Sequence, residues 1–230
     1  MLRRLMGWLR PAGPEPATIY QPKAIYRSDH VDSFLSTYYL KPMPELVWQV
    51  LDFLGTGDNI RNCVPGTIGF LSEFIAEHQA RKAQLKSLAS SKSAMLKVAF
   101  SDAVRLSRRP GRALSSQGHS GQLNDLYWGA YYASGNPCYI DRVVDEMRFL
   151  DESSDPRLFL TGATARWSLA SHAVTHESVR QHLEEIRASR EDRIKELVNE
   201  VMTSDPPQLW AEMEATCKER GWYRAGTSPA

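Results

Sequence analysis

The chain has 230 residues, 42% of them hydrophobic and 24% charged, the balance of an ordinary globular protein long enough to bury a sizeable core. Its 28 basic and 27 acidic residues leave a net charge of +1, so no global field draws it to nucleic acid. Three cysteines, Cys63, Cys138 and Cys217, lie far apart with no C-x-x-C pair; this excludes a disulfide framework and a zinc motif, and reads as reduced thiols in a cytoplasmic protein.

Residues 1–27 form an N-terminal amphipathic segment and a proline-rich arm. Leu2, Leu5, Met6 and Leu9 share one helical face, flanked by Arg3, Arg4 and Arg10. That face suits a membrane surface, a docking partner, or the chain's own domain. Arg3, Arg4 and Gly7 break the apolar run of a secretion signal. No stretch approaches the roughly 18 apolar residues of a membrane span. Pro11 to Pro22 reads as an extended arm.

From residue 28 onward, helical signals follow one another. Val31, Phe34, Leu35, Tyr38 and Tyr39 fall at i, i+3, i+4, i+7 and i+8, with Asp29 as N-cap and Pro42 as terminator. Pro44 opens a second helix carrying Leu46, Val47, Val50, Leu51 and Leu54, which Gly55 and Gly57 stop. Pro65 opens a third, with Ile68, Leu71, Phe74 and Ile75 on one side and a pattern running on through Leu85 and Leu88. Met95, Val98 and Ala99 lie opposite Leu96, Phe100 and Val104, which predicts a helix buried on more than one face. Residues 107–121, containing SRRPGR and SSQGHSG, read as an exposed loop between two halves, 28–106 and 122–223.

Leu123, Leu126, Tyr127, Ala130 and Tyr131 then mark a helix that Gly135 ends. Ile140, Val143, Val144 and Met147 mark its hairpin partner. Ala163, Trp167, Ala170 and Val174 define the next helix. One long helix is predicted from Glu177 to Met202, its stripe broken at Arg190, with a Glu191–Lys195 ion pair on its surface. Asp205-Pro206 starts a last helix carrying Trp210, Met213 and Cys217, and residues 224–230 read as a disordered tail. About eight or nine helices with short connections and no strand pattern predict an all-α fold. Antiparallel helical hairpins would stack as an irregular bundle or a short α-solenoid, without the ~34-residue repeat of a TPR array.

Candidate chemistry is sparse. Gly118-His119-Ser120-Gly121-Gln122 approaches the G-x-S-x-G nucleophile elbow but lacks its last glycine and its strand–turn–helix setting. His172 and His176, four apart, could ligate a metal and support a metal-dependent hydrolase, yet H-A-V-T-H has no glutamate after its first histidine. Asp125, Asp141, Asp145 and Glu146 are explained more simply by surface ion pairs than by acid–base work. Arg105, Arg108, Arg109 and Arg112 form the densest basic cluster, suited to solvent or to an acidic protein surface. The helix bearing Tyr127, Trp128, Tyr131 and Tyr132 carries more rings than one stripe can bury, which assigns Trp128, Tyr131 and Tyr132 to a partner interface or to a second packing layer.

Three segments carry a resemblance: Val31 to Pro44, Leu126 to Val144, and Ala165 to Val179. Together they resemble an uncharacterised all-helical family of bacterial proteins, some of them exported. The resemblance implies the fold class and a bacterial source and brings no activity or catalytic residue with it. The expected function is therefore a non-catalytic protein-binding module, such as an adaptor or an immunity-type protein that neutralises a toxin or enzyme. Its partner would be another protein, for instance a co-encoded toxin or a secretion component, with no cofactor and no nucleic acid. The expected site is Trp128, Tyr131 and Tyr132 with the four arginines. The expected location is cytoplasmic, with membrane association through residues 1–10 or a periplasmic location as alternatives.

Overall fold

A computed structural model describes residues 25, 27–57, 59–108, 118–190 and 193–222. The readings of the amphipathic segment, the arm and the tail lie outside these residues. So do Arg109, Arg112 and Glu191.

Among the described residues there are eleven α-helices and no strand. The first five are α1 (Ser28–Thr37), α2 (Val47–Leu54), α3 (Val64–Glu77), α4 (Lys82–Ser91) and α5 (Ala94–Leu106). The other six are α6 (Gly121–Ser134), α7 (Cys138–Glu146), α8 (Pro156–Thr175), α9 (Glu177–Ser189), α10 (Arg193–Thr203) and α11 (Pro206–Glu219). The starts follow from proline at the first helical positions of α3, α8 and α11, where its missing N–H has no bond to lose. At α8, Asp155 also caps the helix, its Oδ1 accepting from the Arg157 amide at 2.8 Å. Gly135 ends α6 in the left-handed region, φ +67°, a conformation that favours glycine.

Two sequence expectations need correction. The helix foreseen from Glu177 to Met202 is two helices, because Arg190 is extended (φ −105°, ψ 145°). The break lets α10 fold back on α9 and reach α8. Ile194, Leu197, Val198 and Val201 are thereby buried on new neighbours. The pattern from Ile68 to Leu88 is likewise divided between α3 and α4 by a 3-10 turn at Gln79–Arg81. In α5 only one face is covered: Leu96, Ala99, Phe100 and Ala103 are buried, whereas Met95 and Val98 are exposed.

One continuous core runs from Ile25 to Leu209. A smaller cluster of Phe159, Ala163, Met213 and Cys217 seats α11. The most extensive helix pair is α3 with α6, which are not neighbours in sequence, followed by α3 with α5. A solenoid unit touches only adjacent units, so this is an irregular bundle, and the segments 28–106 and 122–223 share one core. The α3–α6 contact is close because glycine lines it. A Cβ on Gly69 would lie 2.0 Å from the Leu126 carbonyl oxygen, and one on Gly129 would lie 2.0 Å from that of Gly66. This crossing brings the first turn of α3 beside the first two turns of α6, where a cavity opens.

Candidate functional site

The expected aromatic interface is closed. Trp128 is 1% exposed, and Tyr131 and Tyr132 are each 2% exposed. They cannot touch a partner, because α8, the start of α9 and the turn after α1 cover the rings. Trp128 Nε1 donates to Ser168 Oγ at 3.0 Å, and its ring lies 4.1 Å from that of His172. The Tyr132 hydroxyl is within 3.1 Å of both ring nitrogens of His172. The Tyr39 and Tyr131 hydroxyls each lie 2.8 Å from Ser178 Oγ, and Tyr39 Oη lies 3.2 Å from His176 Nδ1. A buried polar group needs such partners, and here they latch α6 to α8 and α9.

His172 and His176 belong to this latch. Their rings are 5.5 Å apart, but both are buried and engaged by tyrosine hydroxyls. Burial drives the His172 ring well below its usual range and His176 down to about 4, since a low-dielectric interior disfavours the imidazolium. Among the described residues no three histidine, cysteine or acidic side chains converge as a metal site would need. The pair serves packing, and the room a hydrolytic reaction needs is filled by rings.

Of the basic cluster, Arg105 is exposed and pairs with Asp102 of its own helix at 3.4 Å. Arg108 is exposed just beyond α5. The cysteines are unbridged. Burial pushes the Cys63 thiol up to about 12, which removes it as a nucleophile.

The acids divide in a way the sequence did not indicate. Asp141 accepts from His182 Nε2 at 2.7 Å, tying α7 to α9. Glu146 is buried, and its Oε1 lies 2.8 Å from His119 Nδ1. Burial raises the Glu146 carboxyl against the opposing pull of that histidine. His119 Nε2 in turn lies 3.1 Å from Arg148 Nη2, and the His119 ring lies 4.7 Å from that of Phe149. Both imidazole nitrogens are therefore engaged, and the dyad anchors the entry to α6 instead of activating Ser120.

Asp125 is different. It is 6% exposed, on the second turn of α6, and no described residue donates a hydrogen bond to its carboxyl. Burial alone lifts it well above the usual carboxylate range. It lines a cavity of about 390 Å³ between the starts of α3 and α6, a volume typical of small-ligand sites. Leu123, Asp125 and Leu126 are the buried residues of the lining, Ile68 is half-buried, and Arg61, Asn62 and Gln122 are exposed. The lining thus combines exposed polar residues, apolar residues and one buried acid. Ser120 also lines it, so the glycine–serine motif contributes to the site as wall. Among the described residues of the lining, Asp125 is the one acid, and no histidine or cysteine joins it.

Compared with protein-family models, curated proteins and solved structures, the chain matches none of them.

Proposed function

We propose that this chain is a non-catalytic helical binding module whose recognition site is the α3–α6 cavity and whose partner is another protein. The observation that carries this reading is Asp125: an acid residue only 6% exposed, with no hydrogen-bond donor among the described residues, that lines a surface-opening cavity. An unsatisfied buried acid costs a fold stability and is rare in native cores. A ligand that supplies the missing partner turns that cost into affinity. The exposed mouth at Arg61, Asn62 and Gln122 admits a side chain whose backbone stays outside. A toxin-neutralising or adaptor role fits such a module.

Capture from the source cell tests this with the tagged protein and its Ile68→Trp variant, in which the added ring fills the cavity from its wall. With both proteins folded by near-ultraviolet circular dichroism, a partner held by the first should be lost from the second. Equal capture by both, or turnover of the bound partner, would contradict the reading.

A further inference from the structure

Building on the cavity reading above, we infer that the site takes a monoalkylammonium group, the cation resting on Asp125 and its methylene stem lying along Ile68 and Leu123. The form of the site dictates this. The lining offers one acid, and no donor among the described residues hydrogen-bonds to it. Ile68, Leu123 and Leu126 line the cavity beside it, and these apolar side chains favour a methylene stem over a hydrated ion. The mouth is set against a second cation: Arg61 stands there, and the first turns of α3 and α6 present the positive ends of their helix dipoles. A diamine or a polycation is therefore a worse fit than a single ammonium with a neutral or anionic far end. A lysine side chain of a protein and a small free amine both carry the required group.

Proton linkage gives the site a pH signature. The ammonium pairs with the carboxylate, so binding must expel the proton that burial favours on Asp125. Among the described residues, the charged and titratable groups that face the acid are Arg61 from the turn before α3, which shares the cavity lining, and the Cys63 thiol and Tyr132 of α6, which its field reaches. The fields of Asp32 and Asp125 reach Cys63 and Tyr132 together. Affinity for an amine should rise with pH until the amine itself deprotonates near pH ~10.

Side-chain methyl NMR of Leu123 and Leu126 in the full chain tests the inference with three probes: n-butylamine, Nα-acetyl-lysine N-methylamide, and n-butanol as the neutral isostere. Saturable shifts are expected for the ammonium probes, with n-butanol weaker by about tenfold or more. Asp125→Asn, isosteric and folded by circular dichroism, should weaken the ammonium probes by a similar factor and leave n-butanol unchanged. Saturation by n-butylamine and not by the blocked lysine would keep the cation site and remove the protein partner from the proposed function. Equal affinity for n-butanol and n-butylamine, or unchanged ammonium binding in Asp125→Asn, would overturn the cation inference and leave the cavity a binding site. No saturable shift by either ammonium probe up to about 50 mM would also overturn it. Loss of the partner in Ile68→Trp would then still support the binding module.

Discussion

At the scale of single residues, the unpaired acid and the neutral histidines tilt stability in opposite directions with pH. Asp125 has a native pKa above its unfolded value near 3.8, so the folded chain holds that proton more tightly. Its contribution is whole below about pH 3.8 and is lost as the pH climbs through the raised native value. Asn keeps the shape and cannot ionise. Asp125→Asn should therefore be more stable than the parent at about pH 7.5, by about 1–3 kcal/mol, with the gap closing as the pH falls. Urea unfolding across pH checks this, and a destabilised variant would show that the acid has a partner in the fold. His172 and His176 have native pKa values below 6.5. Their contribution is present above about pH 6.5 and is lost as the pH falls toward about 4. Glu73 and Glu146, both raised by burial, tilt the curve the other way in an overlapping range. The difference between parent and His176→Gln isolates the histidine. The variant should lose less stability than the parent between about pH 6.5 and pH 4.5, and parallel curves would contradict the buried neutral ring.

At the scale of elements, the α3–α6 crossing decides where the cavity lies. Backbone meets backbone there, so added atoms have no flexible neighbour to displace. Gly69→Ala and Gly129→Ala should each cost about 3 kcal/mol or more, read as a fall in the urea midpoint at unchanged slope. An effect below about 1 kcal/mol would mean that the helices are farther apart than described. The sequence carried a signal for this contact. The run Tyr127-Trp128-Gly129-Ala130-Tyr131-Tyr132 places two small residues among four rings, and small residues on a helix let a neighbour approach closely. The rings then need covering elsewhere, which is why Trp128, Tyr131 and Tyr132 lie in a second packing layer and not on the surface. At Arg190 the sequence marked only an interruption of the apolar stripe, not an end of the helix. Neither glycine nor proline stands there, and the apolar stripe resumes in phase at Ile194, so periodicity alone continues the helix. Only the packing of α10 against α8 distinguishes the two arrangements.

At the scale of the whole molecule, fold class was legible and the site was not. Helical spacing and proline-marked starts are local properties, and they gave the all-α architecture. The choice between bundle and solenoid depends on whether α3 meets α6, a contact across more than fifty positions that no local pattern encodes. The cavity combines the turn at Asn59–Asn62, the start of α3 and the start of α6, three segments that only the tertiary fold unites. Asp125 was visible as a carboxylate between Leu123 and Leu126, but an acid on a helix is usually solvated. Its isolation follows from what surrounds it. Two elements that the sequence marked for chemistry, the histidine pair and the Gly118–Gln122 motif, serve the scaffold that holds this acid in place. The most direct measurement is a carbon-detected NMR titration of the Asp125 side-chain carboxyl, with and without saturating n-butylamine. A midpoint well above the usual range in the free protein, falling once the amine is bound, is the predicted result. A midpoint near 3.8 that the amine does not move would contradict the account.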